Sequence, residues 1–595
     1  MKKQMKQASI KKQILHSFFI MAILWANCLF VQAVQPFAPL FIPKKQEVRA
    51  VWLTTIKGLD WPTTRATSEE NIVRQKKELT DILDKLQEAR INTVILQTRV
   101  RGNLIYPSRI ETWCESFSGE ADCSPGYDPL AFAIEECHKR GMEIHAWMVT
   151  IPLGSVEVHK DMGAQSITKR NPKICKRFRN NWYLNPGHPE TKNYLKDIVN
   201  ELVTNYDIDG VHLDYIRYPD RPKRFPDASD YRKYGRGFEN LAQWRRNNIT
   251  EIVRTIHAEV KQLKPWVKVS SAPLGKYRDT QRYPSRGWNA YHAVHQEAQL
   301  WMHEGIHDMI FPMLYYRNND FYPFVLDWKE QSNGRIVVPG LGIYFLHPSE
   351  GDWTLDEVER QLNFIRWSNC NGEAYFRSRF LTENTSGLYN CVQERYYRTL
   401  ATIPPMPWID NVPPSKPTAV TLSRKGSASH LHWQPSTDNT DGGVHYNVYA
   451  STTYPVDTEN PENLVAIRLK DCSYLHHHFI ARGKAIHYAV TATDRCGNES
   501  DAVQLSYPDK PVNTTPTPVH QYSPQRLTIE EDIVCLPQHI TGEERVIVTN
   551  IAGRPIADLP FNRKLNIKAL PAGIYIVNTT TNGGKIRKVG FFTKK

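Results

Sequence analysis

What this chain lacks narrows its chemistry first. Its 595 residues hold only ten cysteines, with no C-x-x-C and no His/Cys cluster at metal-ligand spacing. A structural zinc site is therefore not expected. No nucleic-acid motif is present, and Lys and Arg are scattered rather than gathered in a stripe, so no nucleic-acid partner is expected. The apolar run from Ile14 to Phe30 is short and broken by His16, Ser17 and Asn27. That argues against a permanent transmembrane anchor. No residue pattern calls for a cofactor or a catalytic metal.

Acidic residues are missing from the first 33 positions, where Lys2, Lys3, Lys6, Lys11 and Lys12 precede the apolar run and Val31-Gln32-Ala33 follows it. This is the layout of a signal peptide, residues 1–33. Without those five lysines the formal charge of +13 falls to +8. A basic exported protein suits anionic cell-wall polymers or an anionic cell surface. Export also permits disulfides, and Cys114 with Cys123, Cys370 with Cys391 and Cys472 with Cys496 are the plausible pairs. The length is too great for one hydrophobic core, so several domains are expected.

From residue 47 strands and helices alternate. Arg49–Thr54, Thr93–Arg99 and Glu143–Met148 read as strands. A helix between the first two has Ile72, Leu79, Ile82, Leu83 and Leu86 at helical spacing, with Thr67 and Glu70 as a capping box. Asp128-Pro129 starts another, which ends near Gly141. A polar loop spans Pro152–Pro189, and a basic, aromatic one Tyr218–Tyr234. Later strands fall at Val267–Ala272, Met309–Leu314, Ile336–Val338 with Leu341–Tyr344, and Ala374–Phe376. Eight such alternations predict a (β/α)8 TIM barrel over 47–400. A Pro-rich linker, 401–417, follows. Residues 418–508 turn to short alternating strands, 509–528 are a Pro/Thr linker, and 529–595 form a small C-terminal β-sandwich.

The stretch around which the barrel is organised is Asp209-Gly210-Val211-His212-Leu213-Asp214-Tyr215-Ile216-Arg217. Val211, Leu213 and Tyr215 alternate with His212 and Asp214, so the two sets face opposite sides. His212 and Asp214 are expected to face the barrel interior, with Asp214 at the C-terminal mouth where such barrels keep their chemistry. Asp209 lies at the stabilising end. With Arg49–Thr54, Ser270–Gly275, Phe311–Tyr316 and Gly340–Tyr344, this stretch resembles the glycosyl-hydrolase-like 10 family, whose fourth strand reads roughly D-G-[IV]-H-[FL]-D. The resemblance implies a TIM barrel and carbohydrate hydrolysis, with denuded peptidoglycan strands as one substrate. Some members carry a second acid where this chain has Tyr215. The same stretch loosely resembles the D-x-x-D-x-D-x-E run of chitinase-like barrels, but Ile216 stands where their catalytic Glu would be.

Asp214 is thus the expected catalytic carboxylate, as nucleophile or as acid/base. Glycoside hydrolysis normally needs a second carboxylate. Asp279, Glu350 and Asp352 follow strands on mouth loops and are the candidates, whereas Glu373 lies toward the wrong end. Trp52, Arg99, Arg101, His145, Trp147, His212, Arg217 and Tyr315 are expected to bind substrate, the aromatics by stacking on sugar rings. The function expected is that of a glycoside hydrolase on a glucosamine-containing polysaccharide; the alternative is a surface protein that binds glycan without cutting it. Residues 418–508, with Trp433 and Tyr488, are similar to fibronectin type III modules. Leu570, Gly573, Tyr575 and Val577 meet the L-x-x-G-x-Y-x-V stretch of type IX secretion sorting domains. That resemblance implies the type IX machinery as a partner and export to the cell surface, outer membrane or medium.

Overall fold

The computed structural model describes residues 43–594, apart from 221–223, 284–287, 426–427, 478–485, 507–509, 512–524, 531, 539, 541–542, 551–554, 571–572 and 582–585. The expected signal peptide and most of the expected 509–528 linker lie outside the described residues. The chain divides into two compact units, one holding 42–514 and the other the C-terminal part.

The first unit is built on eight parallel strands: β1 (Val48–Leu53), β2 (Thr93–Arg99), β3 (Glu143–Val149), β4 (Gly210–Asp214), β5 (Lys268–Ser271), β6 (Met309–Ile310), β7 (Ile336–Val337 and Gly340–Leu341) and β8 (Gly372–Phe376). Each pairs with the next, and β8 closes on β1 with Phe376 opposite Trp52. Between strands run the helices α1 (Glu69–Glu88), α2 (Pro129–Lys139), α3 (Glu190–Asn205), α4 (Leu241–Leu263), α5 (Ala298–His303), α6 (Tyr322–Glu330) and α7 (Leu355–Trp367). This is the expected (β/α)8 barrel. The strands are buried almost throughout because both faces are covered, polar residues such as Arg49, Glu143 and Lys268 included. In α1 the periodic Leu79, Leu83 and Leu86 are buried against the sheet. Its cap differs from the expectation: Ser68, not Thr67, accepts the Asn71 amide. In α2, Asp128 caps Leu130 and Ala131 ahead of Pro129, as expected. The polar loop after β3 is not plain coil but carries a small antiparallel sheet, Pro152–Ser155, Cys175–Phe178 and Asn181–Leu184.

Residues 401–417 are not the spacer their proline content predicts. Ile403 and Met406 are buried in the same core cluster as Trp52, Ile95, Phe311 and Ala374 of the barrel interior, and the Trp408 indole donates to Asp308 at 2.9 Å. The following β-sandwich has a three-stranded sheet (Thr418–Lys425, Ala428–Gln434, Ser473–His477) and a five-stranded one centred on His445–Ser451 and His487–Thr493. It closes over the barrel floor through charge. Arg468 bridges Glu143 at 3.0 Å and Asp209 at 2.7 Å, and Arg495 reaches Asp209 at 3.0 Å and Asp207 at 2.8 Å. None of the three expected disulfides forms: the nine cysteines among the described residues are free thiols. Cys391 instead sits beside Glu359, and Cys496 packs into the barrel core.

The C-terminal unit pairs a five-stranded with a three-stranded sheet around Val546, Val548, Tyr575, Val577 and Phe592. Tyr575 and Val577 point inward, as their alternate spacing predicts. Among the described residues no helix is long and apolar enough to cross a membrane.

Candidate active site

Strand β4 sets the site by alternation. Gly210, His212 and Asp214 face the interior. Gly210 is small because His145 lies against it, 2.7 Å from where a side chain would begin. His212 fills the barrel axis between Trp52, whose indole approaches it at 3.2 Å, and the Ser270 hydroxyl at 2.9 Å. Burial pushes this imidazole well below its ordinary pKa, so it stays neutral.

Asp214 tops the stack, 5% exposed. One carboxylate oxygen accepts the Trp147 indole N–H at 3.0 Å, and the other accepts the Tyr215 amide at 2.7 Å. Its backbone carbonyl accepts the Thr150 hydroxyl at 2.8 Å. Burial raises the carboxyl to about 6; Arg217, the Tyr215 amide and Trp147 oppose that rise without cancelling it. The one charged side chain acting on it, among the described residues, is Arg217, and no ion pair joins the two. A carboxylic acid that holds its proton toward neutrality, at the mouth of a barrel, is suited to proton transfer.

Around it stand aromatic rings. Tyr315 stacks on Phe376 at 5.3 Å, and Tyr344 meets Tyr315 edge-on at 6.0 Å. Phe345 stacks on Trp353 at 4.9 Å. Burial and the nearby Asp214 push the Tyr315 phenol well above its ordinary value, so it remains a neutral donor. Such rings present flat apolar faces with a few polar tips, the surface a pyranose takes.

Residues 47–343 match the family described as Glycosyl hydrolase-like 10. The chain is 30% identical over 482 residues to glycosyl hydrolase YngK of Bacillus subtilis (strain 168), covering 77% of this chain and 92% of that one. The chain belongs to the glycosyl hydrolase-like 10 family. It is also 30% identical over 385 residues to glycosyl hydrolase DigH of Escherichia coli (strain K12), covering 59% of this chain and 88% of the relative. Among solved structures, the glycoside hydrolase domain of PgaB (BpsB) from Bordetella bronchiseptica aligns with 58% of this chain and 98% of its own, at 14% identity and a TM-score of 0.42. Family membership makes the protein a glycoside hydrolase.

The expected site residues divide by depth. Asp214, Trp147, Tyr315, Arg217 and Arg101 are brought to the mouth. Trp52 and His212, expected to bind substrate, instead lie buried inside the barrel, bonded to each other, and support the layer above. Two further expectations are corrected. Arg99 does not reach a sugar: it is fully buried, doubly hydrogen-bonded to Glu111 at 2.6 and 2.7 Å. His145 lies toward the floor, fully buried, 3.1 Å from Glu143. Asp279, Glu350 and Asp352 are exposed on loops, and none acts on Asp214. Glu373 is at the floor, as expected, bonded to Tyr397.

Tyr215 departs most from its strand pattern. β4 ends at Asp214, and Tyr215 turns to a left-handed φ of 50°, leaving its ring 41% exposed at the rim instead of buried behind the sheet. Sequence alternation carries no signal for that turn. Trp288, Tyr183 and Lys276 are further mouth residues that sequence reasoning missed, since long loops bring them in. Three carboxylates, Asp410, Asp438 and Asp494, have oxygens within 4.8 Å of one another on the sandwich side; Asp410 lies two residues past Trp408, which bonds Asp308 at the floor end of the barrel, opposite the mouth.

Proposed function

We propose that the protein is an exported, endo-acting hydrolase of a glucosamine-containing polysaccharide, with peptidoglycan strands stripped of their peptides as a substrate. The observation that carries this reading is the Asp214 carboxyl, held in a barrel mouth with its proton affinity raised to about 6. Asp214 gives its proton to the glycosidic oxygen as the bond from C1 breaks. Among the described residues no second carboxylate acts on Asp214, which supports assistance by the substrate: the N-acetyl oxygen of the sugar bonds to C1 as the leaving group departs. Water then attacks C1 and gives a proton to Asp214 as the bond from C1 to the acetyl oxygen breaks, which restores the acetamide and leaves a new reducing end. Trp147 and the Tyr215 amide hold the carboxyl, and Tyr315 with Phe376 offers a stacking wall.

A second reading is glycan capture without cleavage, and the same missing carboxylate favours it. Denuded strands decide between the two. Release of reducing ends by the wild type, lost in Asp214→Asn while the variant still sediments with the strands, supports hydrolysis. Sedimentation of a wild type that releases nothing supports capture.

The same proposal includes delivery. The leader implies export, and the likeness of residues 529–595 to type IX sorting domains points to that machinery as partner, the cell surface or outer membrane as destination. The two sheets of 418–506 and the buried Trp433 support a fibronectin type III module. A chain truncated after residue 528 is expected to remain inside the cell envelope; its normal appearance at the surface would overturn the delivery reading.

A further inference from the structure

The mouth carries more positive charge than its structure consumes. Lys276 is paired with Asp320 at 3.1 Å. Arg217 is 6% exposed. One of its terminal nitrogens binds Asp220 at 2.7 Å, yet its Nε–H is buried without a partner. Its guanidinium lies 4.7 Å from the Tyr215 ring centre and 5.7 Å from that of Trp288. Both residues are more than 40% exposed, so the cluster stands at the rim. Arg101 is exposed and has no ion pair among the described residues; its stem rests against Gly154, 3.6 Å from where a side chain would start. Gly154 lies in the small sheet whose Pro152 pairs with Tyr183, so Arg101 borders Tyr183 while Arg217 lies against Tyr215; both phenols feel both guanidiniums, and Asp220 as well.

A buried N–H left without an acceptor is costly. A buried guanidinium held against the Tyr215 ring and by Asp220 has lost much of the freedom that binding an anion would otherwise remove, and its planar fork matches a carboxylate. A neutral hydroxyl chain needs neither feature. We propose that Arg101 and Arg217, framing Tyr215, form a subsite for a carboxylate carried by the sugar chain next to the bond that is cut. This rests on the hydrolase reading above and sharpens its substrate class: the preferred glycan is acidic. The acid can sit on a lactyl ether, as in peptide-free peptidoglycan strands, or on the ring, as in a uronic acid.

The test compares denuded strands with the same strands after their carboxyls are reduced to alcohols, with hyaluronan as the uronic-acid arm. Charge-assisted contacts of this kind predict a kcat/KM roughly tenfold or more higher on intact than on reduced strands. Arg101→Gln, at an exposed position, is expected to erase most of that preference, and Arg217→Gln the rest. Equal cleavage of intact and reduced strands by the wild type, or an undiminished preference in Arg101→Gln, overturns the inference. Carboxylate-dependent cleavage of strands or of hyaluronan upholds it, and which of them is cut assigns the acid. If the wild type cuts nothing, the hydrolase reading fails separately. Retention on intact against reduced strands then decides the subsite: a difference lost in Arg101→Gln supports it, and equal retention overturns it.

Discussion

Asp209 and Asp214 stand five positions apart at opposite ends of β4, both buried, and their surroundings drive them in opposite directions. Burial alone would raise both. At the floor, Arg468, Arg495 and His138 outweigh it and hold Asp209 well below the usual carboxylate range. Its neighbour Glu143 is held at about 2 by Lys268 and Arg468 despite its own burial. At the mouth, Asp214 has one distant arginine and two neutral donors, and burial wins. The floor spends its acids on fixed partners, two of them contributed by the β-sandwich. The mouth leaves one acid unpaired. Stability and chemistry are thus separated along a single strand, as the two ends of such barrels generally are.

The largest effect that would break this contrast is on rate. Asp214→Asn is expected to lower cleavage of denuded strands by roughly 10²–10⁴-fold, the usual contribution of a positioned acid or base. With Asp214 as the proton donor, wild-type activity falls as pH rises through about 6. A variant as active as wild type would remove Asp214 from the mechanism.

Asp209→Ala should act on folding instead. It strands Arg468 and Arg495 without their shared acceptor, and breaking such a buried pair costs about 3–5 kcal/mol. Urea unfolding of the 42–514 unit measures it. Because a depressed carboxyl contributes stability above its unfolded pKa and loses it as pH falls, the gap between wild type and variant should close on acidification. A neutral outcome would mean that the sandwich is not clamped to the floor.

Asp214→Asn should have the opposite sign on stability. The folded carboxyl binds its proton near 6 and the unfolded one near about 4. Between those values the unfolded chain ionises first, so wild-type stability drops as pH rises from 4 to 6 and is level above. The Asn variant escapes that loss and should be about 1–3 kcal/mol more stable at pH 7, with the difference gone near pH 4. Equal stability at pH 7 would mean that the carboxyl is not raised.

Much of this division was legible in the amino-acid order. The alternation through β4 put His212 and Asp214 inside and Asp209 at the far end, and Asp128-Pro129 marked a helix start that the structure keeps. What was not legible depends on partners distant in sequence. Arg99 reads as a free cation until Glu111 folds against it. Ile403 and Met406 read as linker until the barrel floor covers them. Cysteine spacing named three pairs, but the fold buries Cys114 and leaves Cys123 exposed, sets Cys391 beside Glu359 and packs Cys496 into the barrel core. Tyr215 turned outward because its amide serves the Asp214 carboxyl, a local bond that strand periodicity does not encode.

The finest adjustment to the contrast lies in Trp147. Its indole is the only side-chain hydrogen bond to the Asp214 carboxylate among the described residues, and it favours the ionised form. Trp147→Phe keeps the ring and removes the donor. The Asp214 carboxyl should then rise further, moving the pH at which activity falls upward by roughly one unit, since hydrogen bonds to charged groups are worth about 1.5–3 kcal/mol and compensation by water recovers part of that. A packing defect alone would lower the rate at every pH and leave that limb in place. Movement of the limb therefore separates a residue that tunes the acid from one that merely fills space, and an unmoved limb would assign Trp147 to the core together with Trp52.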